Sequence, residues 1–307
     1  MTLKVHLRVP HELADGGADR LAAFVEHVEA TSIDGVTVGD HVSFRDGTGY
    51  DGLIRAAALS ALSRRLEIWT AVYLLALRHP VTVARQVASL ASLVSGRFVF
   101  GVGLGGDDPH ELEVCGINPR RRGRRFDACL DVVLPLLAGD TVTSDDPELP
   151  IPGATIRPTP DPPVPVIVGG RSDAALRRAG RVGDGWLALW HTPERVARGI
   201  EAVEAAAAEY GRAQLVRRYG YTVWCGLDGD RDRAHGMVAT AMEALYHQPF
   251  TSFARYTPAG TPRHVADALG PYLDTGIGDV VVIGVAAHEA ALVDHTADLA
   301  ELLRQRS

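Results

Sequence analysis

Residues 164–189, VPVIVGGRSDAALRRAGRVGDGWLAL, read as a buried strand, a glycine pair, a capped helix, a Gly-Asp-Gly turn and a second strand. The apolar run 164–168 has the unbroken hydrophobicity of a strand covered on both faces, and helical periodicity takes over at Ser172. That is one parallel βαβ unit. Gly169 and Gly170, lacking Cβ atoms, let the backbone come close to another group, and the free N–H groups at the start of the Ser172 helix point toward it. Alone, Gly-Gly-Arg-Ser is a tight turn followed by an N-cap. On the rim of a larger α/β fold the same turn is a phosphate site. The rest of the chain decides between the two.

Outward from this unit, strand-like runs recur at 3–9, 35–39, 67–75, 97–102, 164–168, 185–189, 216–224 and 279–284. Helical patterns follow at about 17–31, 51–64, 80–94, 121–137, 172–181, 193–210, 231–245 with 262–275, and 287–305. Eight βα pairs with no second composition regime predict a single α/β domain over residues 1–307, a closed (β/α)8 barrel. An open dinucleotide-binding sheet would carry GxGxxG after the first strand, where Pro10-His11-Glu12 stand instead. Barrel chemistry lies in the turns after the strands, at the C-terminal face. The stretches 103–120 and 246–260 read as long non-helical insertion loops over that face. The Pro- and Asp-rich stretch 139–163, ahead of strand five, reads as a structural segment of the opposite end.

Apolar residues at 46% and charged residues at 22% are globular values, and no polar tract suggests disorder. A net charge of −7 argues against a nucleic-acid partner. The basic run Arg120, Arg121, Arg122, Arg124, Arg125 opening a helix is either a salt-bridged face or an anion-binding patch. Cys115, Cys129 and Cys225 form neither a disulfide framework nor a zinc motif, which fits a reducing compartment. With no signal-peptide pattern and no apolar run of spanning length, the expectation is a soluble cytoplasmic protein with no membrane partner.

After strand two, Gly39-Asp40-His41-Val42 bring an acid and an imidazole to the active face. Asp40 there orients a ring or ligand while His41 donates or accepts a proton near neutral pH; the competing reading is a turn former beside a rim histidine. Arg78 and His79 precede Pro80, which suits a first helical position. The run 101–108, with Gly103, Gly105 and Gly106, lets backbone pass close to a flat ligand. Asp184 reads as a turn residue at the opposite, stabilising face.

Other barrel chemistries fare worse. The carboxylates near the face, Asp40, Asp107, Asp108 and Glu111, sit in flexible turns rather than as the facing pair that glycoside hydrolysis needs. His41, His79 and His191 lie on three loops without a ligand motif, so no metal is assigned. Lys4, the one lysine, is expected to be buried in strand one, which leaves none for a Schiff base. A phosphate cradle, a glycine-lined face and few nucleophiles suit a bound redox cofactor that carries the reaction itself.

At these residues the chain resembles the luciferase-like monooxygenase superfamily, and within it the branch that uses a deazaflavin. The likeness runs through 34–42 (DGVTVGDHV), 78–86 (RHPVTVARQ), 96–106 (GRFVFGVGLGG), 120–127 (RRRGRRFD), 166–186 and 260–283 (GTPRHVADALGPYLDTGIGDVVVI). It implies a TIM barrel that binds FMN or deazaflavin at its C-terminal mouth, with Gly169, Gly170, Arg171 and Ser172 on the cofactor phosphate. Gly103, Gly105 and Gly106 would line the cofactor, and a non-prolyl cis bond between Ala71 and Val72 would back its ring. Asp40 and His41 would contact ring and substrate, His41 as proton donor or base. Dehydrogenases of the branch can carry a glutamate in the loop after strand four, where this chain reads Gly106; that departure speaks against a sugar-phosphate dehydrogenase, and Asp107, Asp108 or Glu111 either stands in or is a solvated lid charge. The implied function is hydride transfer between deazaflavin (coenzyme F-420) and a small organic substrate. FMN-dependent oxygenation and cofactor binding without catalysis are the alternatives, with a homodimer as the family's expectation. From the residues alone, a cofactor-free barrel acting on a phosphorylated metabolite also stays open.

Overall fold

The computed structural model describes residues 2–105 and 108–306, and its eight parallel strands close into a barrel. They are β1 (Lys4–Arg8), β2 (Gly35–Val38), β3 (Glu67–Leu74), β4 (Phe98–Gly103), β5 (Val166–Gly169), β6 (Gly185–Leu189), β7 (Arg218–Leu227) and β8 (Asp279–Val285). Each pairs with the next, and β8 pairs with β1 to complete the ring. The expected (β/α)8 barrel is therefore the fold. β7 begins two residues later than its sequence pattern, because Val216 is 91% exposed and outside the sheet.

All three stretches that lack a helical pattern, 103–120, 139–163 and 246–260, are more ordered than expected. Asp108 caps a helix, Pro109–Val114, by accepting from the His110 N–H, and Pro109 takes the first position, where its missing donor costs nothing. The 139–163 stretch holds an antiparallel pair, Val142–Ser144 with Ile151–Ala154. It does not stay at the far end of the barrel. Its tip climbs to the start of helix Arg122–Ala138, where Arg121 pairs with Glu148, Arg124 lies 3.2 Å from Asp146, and Arg125 donates to Ala76 O just past β3. The basic run is thus largely a salt-bridged helix face. The 246–260 stretch folds into the turns Phe250–Ser252 and Ala254–Tyr256, and Ala259–Gly260 then extends the sheet beside β7.

Along β1, Val5, Leu7 and Val9 are buried in the large core between barrel and helices, so Lys4, His6 and Arg8 point inside. The barrel is filled in layers. Its middle is apolar: Trp69, Val99, Ile167, Leu187 and Val281, with Ala71 and Val72 packed against them. Its floor is ionic. Arg218 donates to Asp279 at 2.6 Å and to Glu67 at 3.1 Å, His6 Nε2 lies 2.9 Å from Asp279, and Lys4 bonds Glu67 at 2.5 Å. Lys4 is not buried as expected, since 41% of its side chain reaches solvent at the barrel's base. His6, Glu67 and Asp279 have the spacing of metal ligands, yet Lys4 and Arg218 already engage both carboxylates. Among the described residues no helix is long and apolar enough to cross a membrane.

Burial works against the Asp279 charge, but His6 and Arg218 outweigh it and hold the carboxyl below its ordinary value. Asp279→Asn leaves Arg218 short of its closest partner and is expected to cost about 3 kcal/mol in urea unfolding at neutral pH. Because the folded-state pKa is the depressed one, that stabilisation is full above the ordinary carboxylate value. It fades as the pH falls through the lowered one, so the gap between wild type and variant narrows below about pH 4.

Candidate active site

The loop after β2 is anchored by Asp40, whose carboxylate is shut off from solvent. Arg78 grips it with both terminal nitrogens, at 2.5 and 2.6 Å, while the N–H groups of Gly52 and Leu74 donate at 2.9 and 2.8 Å. Burial pushes the Asp40 carboxyl up, against these four donors. Burial also opposes the Arg78 charge, yet Asp40 outweighs it and raises the guanidinium. Instead of orienting a ring or ligand, Asp40 has every acceptor direction taken by the protein. It is a positioning residue, and Arg78 is its partner.

His41, the next residue, is 28% exposed at the side chain, and its Nδ1 lies 3.1 Å from Glu111. Glu111 is buried, with one oxygen also accepting from the Val42 and Ser43 N–H groups at 2.8 and 3.3 Å. Burial raises its carboxyl, but the His41 and backbone donors win, and its pKa lies below the ordinary value. Glu111 is therefore no solvated lid charge. Helix Pro109–Val114 carries it down onto the imidazole. The sequence signal was present in Asp-Pro-His-Glu, a cap, a first-turn proline and an acid at the third helical position. Asp108 also fixes the β2 loop, accepting from Arg45 N at 2.7 Å, whereas Gly106 and Asp107 lie outside the described residues.

The peptide bond between Ala71 and Val72 is cis, and pairing of β3 with β4 shifts register there. A Cβ on Gly103 would fall 2.2 Å from Val72 Cγ2, and one on Gly169 2.8 Å from Val72 Cγ1. Both glycines make room for Val72 before they make room for any ligand. Gly105, at φ +67°, backs onto Leu74. Gly170, at φ +136°, has Ala175 against its open side and gives its carbonyl to Trp186 Nε1 at 2.8 Å. Ser172 caps helix Asp173–Val182 by accepting from Ala175 N. Beside this N-terminus the exposed Arg171 guanidinium lies 5.1 Å from the Trp190 ring. First-turn N–H groups and an arginine together fit a phosphate.

A model of the luciferase-like monooxygenase family matches residues 3–258. The chain belongs to that family. An uncharacterised protein of Mycobacterium tuberculosis is 36% identical over 186 residues, covering 59% of this chain and 64% of the relative's length. An F420-dependent glucose-6-phosphate dehydrogenase of Kribbella flavida is 28% identical over 94% of this chain and 95% of its own. Among solved structures, an F420-dependent secondary alcohol dehydrogenase in complex with an F420–acetone adduct superposes with a TM-score of 0.83 at 18% identity, over 99% of both chains. The monooxygenase RslO1 of Streptomyces bottropensis gives 0.79 at 20%, over 99% of this chain and 98% of its own.

Two arginines escaped the sequence reading. The residues around Arg78 fit a helix entry as well as a site, and Arg8 falls inside a strand pattern. The signal for Arg8 was the alternation of Lys4, His6 and Arg8 with Val5, Leu7 and Val9, unusual in a parallel strand covered on both faces. The wall of this luciferase-like barrel also yields a test. Gly103→Ala sets a methyl against Val72 and is expected to cost about 1–3 kcal/mol in chemical denaturation. Adding Val72→Ala should recover part of that loss, a coupling that strict additivity of the two variants would contradict.

Proposed function

We propose that the protein is a flavin-type oxidoreductase that transfers hydride between a deazaflavin, coenzyme F-420, and a small organic substrate. The observation that carries this reading is the His41–Glu111 pair, an imidazole half open to the barrel mouth and held at Nδ1 by a buried carboxylate. The F420-dependent relative that aligns over nearly the whole chain supports deazaflavin over FMN. Arg171, Ser172 and the helix start after β5 would hold the cofactor phosphate, and Ala71 and Val72 at the top of the apolar layer would face its ring. Bound there, a deazaflavin supplies a two-electron hydride acceptor or donor.

The chain's own part is the proton. With Nδ1–H donated to Glu111, the Nε2 lone pair of His41 accepts the hydroxyl proton of an alcohol as its carbon loses hydride; in the reverse direction it returns that proton to the alkoxide oxygen. Glu111 fixes the tautomer and stabilises the imidazolium, as the buried acid does in a catalytic triad. Trp190, Tyr246 and Phe253 pack together beside the mouth, with centroid distances of 4.9 to 5.2 Å, and exclude water from that side.

Titrating purified protein with F-420 and with FMN, followed by fluorescence and absorbance, tests the cofactor; tight binding of FMN alone overturns the preference. His41→Ala should lower turnover about 10²–10⁴-fold while leaving cofactor affinity unchanged. Undiminished turnover in that variant removes His41 from the chemistry.

A further inference from the structure

The floor and the mouth of the barrel treat their charges differently. At the floor every cation has a carboxylate: Lys4 and Arg218 share Glu67, and Arg218 also holds Asp279. At the mouth Arg78 has Asp40 and His41 has Glu111. Arg8, half-buried at the C-terminal end of β1, has instead, among the described residues, one hydrogen bond, Nη1 to Ala71 O at 2.6 Å. Among the described residues no carboxylate lies within ion-pair distance of it. Its Nη2 rests over the end of β2, where a Cβ on Gly39 would fall 1.8 Å away. Gly39 is thus a glycine because the guanidinium occupies the space above it.

The acidic groups near Arg8 stop short of pairing with it: the Asp40 carboxylate is spent on Arg78, Gly52 and Leu74, and Arg55 sets a like charge beside it. Burial lowers Arg8 to about 10, with Tyr246 and Asp40 opposing and Arg55 adding to the fall. Burial, then Arg8, Arg55 and His41 push His11 down to about 4, so His11 is neutral at pH 7. Its Nδ1 is buried without a hydrogen-bond partner. Arg55, which lies 4.7 Å over the Tyr50 ring and donates to Pro10 O, closes the same side. A half-buried guanidinium with a single neutral acceptor is costly unless an anion completes it.

We propose that the substrate is an oxyanion, a carboxylate or a phosphate ester, whose acid group is bound by Arg8 with His11 beside it while its reacting carbon faces His41. The assignment rests on the reading of this mouth as the substrate site. The Arg8 fork matches the two oxygens of a carboxylate or phosphate, and a charge-assisted pair of this kind is about twice as strong as a neutral one. Cofactor and substrate anions are then held at separate places: the first at the helix start after β5, the second at the end of β1.

Isothermal titration of the purified protein with lactate, inorganic phosphate and neutral 1,2-propanediol tests the subsite without any turnover. Wild type should take up an oxyanion saturably and ignore the diol. Phosphate also fits the helix start after β5, so the uptake that counts is the part lost in Arg8→Gln: loss of lactate uptake marks a carboxylate substrate, and loss of phosphate uptake a phosphate ester. Arg8→Gln should weaken that uptake at least about tenfold, with Arg8→Lys retaining part of it. Gly39→Ala, whose methyl displaces Nη2, should weaken it too and carries the test if circular dichroism shows Arg8→Gln unfolded. No saturable uptake by folded wild type, or uptake equal to wild type in a folded Arg8→Gln, overturns the proposal. Oxyanion uptake by a protein that binds neither F-420 nor FMN keeps the subsite and removes the redox reading. Cofactor binding without oxyanion uptake does the reverse.

Discussion

The mouth of this barrel depends on one buried carboxylate. Asp40 sits where β2 ends, and its two oxygens receive the Gly52 N–H that opens a helix, the Leu74 N–H that ends β3, and both ends of the Arg78 fork just ahead of the next helix. An ionised carboxylate out of water is tolerable only when its lone pairs are filled, and four donors from three segments fill them. Those segments are therefore not free to move independently. His41 inherits its position: its side chain leaves the backbone one residue after the lock, and its N–H bonds Tyr50 O at 3.1 Å. Glu111 then arrives from the β4 side to fix the ring.

The same logic, applied to β1, separates structure from function. Lys4, His6 and Arg8 alternate along one strand and point into one barrel, yet among the described residues only the lower two are paired with acids. The ionic floor closes the base of the barrel and is complete without any ligand. The mouth is incomplete at Arg8. Tyr246 and Asp40 support its charge without pairing with it, which leaves the guanidinium fork open to an oxyanion from outside the chain.

The architecture was legible because it repeats. One βαβ unit at 164–189 set the period, seven others confirmed it, and each strand appears within a few residues of its pattern. Position along the chain also revealed that the residues after β2 and β5 meet at one rim. What the sequence could not show was which side chains the loops bring together. Glu111 and His41 are 70 residues apart, and nothing local in either segment records their contact. Asp40 looked like a ligand contact because an acid beside a histidine at a strand end has that chemistry; only the fold shows Arg78 reaching back across the turn to consume it.

The glycines show how a motif can be read correctly in place and incompletely in cause. Gly169 and Gly170 do lie at the rim before a capped helix, as the pattern implied. Their missing side chains nevertheless answer to the protein first: Gly169, with Gly103, accommodates Val72, and Gly170 accommodates Ala175. The wall facing the mouth is consequently shaped by one residue of β3 wedged between two glycines of β4 and β5. Anion recognition in this turn falls to what remains, the first N–H groups of the helix and the Arg171 guanidinium lying over Trp190. Two neighbouring glycines thus divide their work between packing a strand and starting a helix, and the phosphate site is the surface left where those two tasks meet.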